Sequence, residues 1–160
     1  MVADEPPWLD DAERAAWLEL VRVMTRLPAV LDAQLRRDSK LTQYEYIVMG
    51  TLAERPGRTM GMKALAVVTN GSLSRLSHVV KRLEAAGCVQ REIDPCDGRL
   101  TRAVLTDNGF EKVSAAAPGH VRAVRRHVFD QLSQTQVGEF VALLRRIAPE
   151  ATFGEDSECG

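Results

Sequence analysis

Apolar residues between positions 11 and 37 recur at three- and four-residue steps: Trp17, Leu20, Met24, Leu27, Leu31 and Leu35. That spacing predicts a long amphipathic helix. Pro28 lies inside it and predicts a kink or a break. Thr42 and Glu45 then have capping-box spacing, so a second helix starts there and runs through Ile47, Val48 and Leu52 to the stop at Arg55-Pro56-Gly57. A short helix is expected over residues 61–68, ended by the turn Thr69-Asn70-Gly71. A stronger helix follows over residues 72–86, with Gly87 as its stop. Its buried stripe is expected to be Leu73, Leu76, Val80 and Leu83. Ser74, Arg75, Ser77, His78, Lys81 and Arg82 fall on the opposite surface.

Next the period changes. Residues 89–93 and 100–105 read as strands around Asp94-Pro95-Cys96-Asp97-Gly98-Arg99, a segment rich in turn residues. This predicts a β-hairpin wing tipped by Arg99. From Thr106 another long helix places Phe110, Val113, Ala117, Val121, Val124 and Val128 on one side, with Pro118-Gly119 expected to bend it. Ser133 and Gln136 form a second capping box. The last helix, residues 134–147, carries Val137, Phe140, Val141, Leu144 and Ile147, and Pro149 follows it. Residues 1–9 and the acidic tail are expected to lack regular structure.

The predicted fold class is mainly α with a small β-hairpin wing. Residues 1–160 form a single domain, with a winged helix-turn-helix head at 41–106. Helices over 10–38 and 107–148 flank it. Two short-linked helices followed by one with a basic, hydroxyl-rich face is the helix-turn-helix order. The outer helices have wide apolar stripes and no partner within a compact head. Burying them against each other and against a second copy is the expected solution, which makes 10–38 and 107–148 the dimerisation helices.

Composition narrows the class further. At 160 residues and 45% hydrophobic, the chain can bury a core and is not disordered in bulk. No apolar run approaches the roughly 18 residues of a membrane span. The start, Met-Val-Ala-Asp-Glu-Pro-Pro, lacks the basic and apolar parts of a signal peptide. A cytoplasmic protein without membrane contact is the expectation. Three cysteines, Cys88, Cys96 and Cys159, form neither a disulfide framework nor a zinc knuckle. Cys88 is expected to be a small buried apolar residue. Cys96 lies among Arg91, Asp94, Asp97 and Arg99, charges that pull a thiol in both directions, so oxidation sensing there stays open.

Net charge is −1, yet residues 55–82 hold six basic residues (Arg55, Arg58, Lys63, Arg75, Lys81, Arg82) and no acid. A locally positive surface on a near-neutral molecule suits phosphate contact. Ser72 at the start of the 72–86 helix, together with Ser74, Arg75, Ser77 and His78, is positioned to read base edges in a major groove. Lys81 and Arg82 are expected on phosphates. Arg99 suits a narrow minor groove, with Asp97 expected to hold its guanidinium. The partner implied is double-stranded DNA. The alternative is a winged-helix protein-interaction module whose basic stretch meets an acidic partner. An enzyme is not expected: there is no phosphate loop, His-Glu-x-x-His, Gly-x-Ser-x-Gly or convincing carboxylate pair. No cofactor is implied. His120 and His127 lie seven apart without a third ligand, so no metal site is expected.

In order and spacing these residues resemble the MarR family of bacterial regulators. The resemblance runs through Leu41-Thr42-x-x-Glu45, Leu65-Ala66, Ser74-Arg75-x-Ser77-His78-x-Val80-x-x-Leu83-Glu84-x-x-Gly87-x-Val89-x-Arg91, Asp97-Gly98-Arg99 and Leu105-Thr106-x-x-Gly109. It implies a homodimer held by the first and last two helices, recognition helices in major grooves and wings in minor grooves. It also implies a ligand-responsive repressor on a palindromic operator, released by a small aromatic or lipophilic effector. Trp17, Tyr44, Tyr46, His120 and His127 are the candidates for an effector cleft between outer helices and head. Leu73 departs from the pattern, since many members carry a polar or basic residue there.

Overall fold

The computed structural model describes residues 7–95 and 97–148. The first helix, α1 (Asp11–Ser39), opens on a reciprocal cap. Asp10 Oδ1 accepts the Glu13 N–H at 2.8 Å, and Glu13 Oε2 accepts the Asp10 N–H at 3.0 Å. Pro28 sits inside α1 without splitting it, and α1 ends at Lys40 in the left-handed region. The helix is uneven along its length. Only Leu31, Gln34 and Leu35 are buried, while Trp17, Leu18, Val23 and Met24 of the first half are exposed.

The Asp32 carboxylate of α1 accepts the Gln43 N–H at 2.8 Å. That bond, assisted by Arg36, holds the Asp32 carboxyl below the usual carboxylate range. It fixes the start of α2 (Gln43–Ala53) against α1. Thr42 and Glu45 cap α2 as their spacing predicts. After a 3₁₀ turn at Pro56–Arg58, residues Thr59–Gly61 form a short strand, β1, which the sequence pattern does not predict and which takes Gly61 from the start of the expected 61–68 helix. Helix α3 (Met62–Val68) and helix α4 (Leu73–Ala85) follow, joined by Thr69-Asn70-Gly71-Ser72, with Asn70 at φ 50°. Strands β2 (Val89–Ile93) and β3 (Thr101–Leu105) complete an antiparallel sheet in the order β1-β3-β2. Register runs from Val89 opposite Leu105 to Ile93 opposite Thr101, with Thr59 opposite Val104 on the other edge.

Helix α5 (Asp107–His127) is also continuous, with Pro118 inside it. A 3₁₀ turn at Phe129–Gln131 leads to α6 (Gln134–Ile147), whose Ser133–Gln136 capping box forms as its spacing predicts. The tail from 149 onward, with Pro149, lies outside the described residues.

The buried cluster joins Leu35 of α1, Val48, Met49 and Leu52 of α2, Leu65 of α3, Leu76 and Val80 of α4, the sheet, and Val113 and Ala116 of α5. Cys88 belongs to it, as expected of a small apolar side chain. Gly109 is needed where α5 meets the turn before β2. A Cβ there would overlap the backbone carbonyl of Cys88. By contrast, no residue of α6 is buried.

Candidate nucleic-acid interface

Helix α4 is set by its start. Ser72 takes the N-cap position and its Oγ accepts the Arg75 N–H at 3.1 Å, so this predicted DNA contact already has a role within the helix. Leu76, Val79, Val80 and Leu83 face the core. Leu73, expected in the buried stripe, is 46% exposed. It is the first residue of α4, where the helix has only begun to run along the core, and Val79 takes the place in the stripe that Leu73 was given.

The outward face holds Ser74, Arg75, His78, Lys81 and Arg82, all exposed, while Ser77 is half-buried. The cations on it differ in what holds them. The Arg75 guanidinium lies over the Tyr44 ring, 4.1 Å from its centre. Arg82 instead donates to Glu45 of α2, from Nη2 at 3.0 Å and Nε at 3.1 Å. Lys81 has no side-chain partner among the described residues.

The basic stretch of residues 55–82 is therefore less free than its composition suggests. Arg58, itself at φ 54°, donates to Asp107 at 2.9 Å and covers the Phe110 ring at 3.8 Å, tying the entry to β1 to α5. Arg91, which precedes the wing, bonds Glu84 of α4 and donates to the Ser77 carbonyl at 3.1 Å. Glu92 and Arg102 stand directly opposite across β2 and β3 and pair at 2.9 Å. Local spacing does not predict these anchors, because each joins side chains on different elements, from Arg91 and Glu84, 7 residues apart, to Arg58 and Asp107, 49 residues apart.

At the wing, the Asp94 N–H donates to the Leu100 carbonyl at 2.9 Å and the Leu100 N–H to the Asp97 carbonyl at 2.9 Å. Asp97 Oδ1 accepts the backbone N–H of Arg99 at 3.0 Å. The expected grip on the guanidinium is replaced by a grip on the backbone: a short side chain two residues away reaches the nearer N–H. The Arg99 side chain is exposed, with no ion pair among the described residues. Cys96 lies outside the described residues.

The predicted effector residues do not converge. Trp17 is 51% exposed, high on α1. Tyr44 is buried and its hydroxyl pairs with Thr69 Oγ1 at 3.0 Å. Tyr44 lines an open cleft of about 1280 Å³ whose walls include Pro28, Asp32, Arg75, His78 and Arg82. Tyr46, two residues further along α2, points elsewhere and meets the His120 ring at 4.5 Å between centres. A two-residue step on a helix is about 200°, so the two tyrosines serve opposite sides. Burial holds the His120 imidazole below its ordinary value, and burial raises the Tyr46 phenol. His127 is exposed. Among the described residues no three His, Cys, Asp or Glu side chains are grouped to hold a metal.

A family model described as the MarR family matches residues 39–100, the stretch from the end of α1 to the wing. The transcriptional regulator HosA of Escherichia coli is 33% identical over 107 residues, covering 67% of this chain and 77% of that protein. The chain belongs to the MarR family. Solved members of the MarR family share its shape as well as its sequence. Sco3205 of Streptomyces coelicolor, crystallised in complex with DNA, is 42% identical with a TM-score of 0.86, covering 91% of each chain. AbsC, from the same organism, is 39% identical with a TM-score of 0.84, covering 89% of this chain and 95% of that one. The winged-helix arrangement of this MarR-family chain, with its three-stranded sheet, is thus the family's own.

Proposed function

We propose that this MarR-family chain works in the cytoplasm as a homodimeric repressor that binds a palindromic operator in duplex DNA. The observation that carries the reading is the outward face of α4. Ser74, Arg75, His78 and Lys81 are presented to solvent, and Arg99 at the wing tip is exposed with no ion pair among the described residues. Arg75 is placed to read guanine in a major groove, and Lys81 to meet phosphate. Arg99 enters the adjoining minor groove, where negative potential is greatest. Sco3205, 42% identical to this chain, is crystallised in complex with DNA, which supports DNA as the partner.

The second copy follows from α6 and the first half of α1. Phe140, Val141, Leu143, Leu144 and Ile147 are exposed, as are Trp17, Leu18, Val23 and Met24. A helix with no buried residue gains its stability only from a partner. Two copies joined there place their α4 helices about 10 base pairs apart, one turn of the duplex. The cleft beside Tyr44, between α1 and α4, accepts a small aromatic or lipophilic effector. Such a molecule releases DNA if it binds one spacing of the α4 helices better than the other.

Selection of bound fragments from random duplex DNA tests the reading. The expected product is a palindrome with half-sites about one turn apart. Recovery of no enriched sequence, or a protein that stays monomeric, overturns it. Arg99→Ala is expected to cost about 1–3 kcal/mol of operator affinity, the scale of one good contact. Unchanged affinity removes the wing from the interface.

A further inference from the structure

We infer that Glu45 sets the number of positive charges that α4 offers to a phosphate backbone, by withholding Arg82 from it. This rests on the reading of the protein as a duplex-DNA binder. Adjacent residues of α2, Tyr44 and Glu45, engage the two arginines of α4, and they do so differently. Tyr44 holds Arg75 through the face of its ring. A ring face leaves the guanidinium N–H groups free, so Arg75 is steadied and still able to donate to a base or phosphate. Glu45 takes Nε and Nη2 of Arg82 on its Oε1 alone. Its other oxygen, Oε2, accepts the Thr42 N–H at 2.8 Å. Both carboxylate oxygens are in use, and the carboxylate is fixed in place by the cap it forms.

Solvation decides which partner Arg82 keeps. The Glu45 side chain is 12% exposed and that of Arg82 59%. Stripping Arg82 from a largely buried carboxylate leaves a charge that water cannot reach well. A backbone phosphate, by contrast, keeps its own water and counterions when Arg82 stays where it is. Arg82 therefore fixes the tilt of α4 on α2 and adds little to counterion release.

Salt dependence on a random-sequence duplex reads this directly, since log K falls with log salt by about 0.9 for each phosphate neutralised. In Glu45→Gln the amide still caps Thr42 while Arg82 is released. The slope is expected to steepen by about 0.9 for each α4 engaged, and the preference for operator over random duplex to fall. Arg82→Ala is expected to leave the slope as in the wild type, and Glu45→Gln in the Arg82→Ala background to add nothing. A shallower slope in Arg82→Ala makes Arg82 a phosphate contact and overturns the inference. So does an unchanged slope in Glu45→Gln, or steepening that persists without Arg82. If the wild type binds no duplex, the reading of function fails as well, which is a separate result from an insensitive slope.

Discussion

Helices α4 and α6 carry the same kind of amphipathic pattern and meet opposite fates. In α4 the apolar side is closed inside the chain by Leu76, Val79, Val80 and Leu83. In α6 the apolar side, with Phe140, Val141 and Leu144, has nothing buried at all. A periodic stripe says that a helix has a partner; it does not say whether the partner is in the same chain. The head around α4 is complete within one molecule. Within one molecule the bare faces of α6 and of the first half of α1 stay open, and it is there that the proposed second copy would close them.

Phe140→Asp combined with Leu144→Asp presses hardest on that difference. The double variant is expected to weaken self-association at least a thousandfold, about 4 kcal/mol, measured by sedimentation equilibrium, with the head still unfolding cooperatively. If the variant remains a tight dimer, α6 does not lie at the interface. Gly109→Ala makes the opposite cut. Its Cβ meets the Cys88 carbonyl inside the head, and a cost of about 3 kcal/mol in denaturant unfolding is expected, the upper range for overpacking. A neutral result there would mean the turn before β2 yields easily.

The smallest effect sits at the join, on α5. Burial depresses the His120 imidazole below its ordinary 6.5, so the unfolded chain takes up a proton first as pH falls. Stability is full above that ordinary value and declines as pH descends from it toward the folded value. The melting temperature should fall between neutral and mildly acidic pH, and should fall less in His120→Gln. Equal curves for the two proteins would show that His120 stays exposed to water when folded.

Much of this was legible in the order of residues. Capping pairs such as Thr42 with Glu45 and Ser133 with Gln136 act within one turn, so spacing alone locates them. The outward face of α4 and the wing strands were legible because helical and strand periods differ. Strand β1 was not, since three residues carry too short a pattern to recognise. The sorting of arginines was not legible either. Arg58 finds Asp107 and Arg82 finds Glu45 across long stretches of chain, and only folding brings those carboxylates near. The separation of Tyr44 from Tyr46 was readable in principle from their two-residue step, and Leu73 shows that a stripe cannot be extended safely to the first residue of a helix.

Pro28 carries one last consequence. Lacking an N–H, it leaves the carbonyl of Met24 without its helical donor, although α1 runs on unbroken. That missing bond falls where α1 passes from its bare half into its enclosed half. In the proposed dimer this turn, one main-chain bond short, lies between the contact of the two copies and the DNA-facing head, so bending there would change the reach of the pair without breaking a further helical bond.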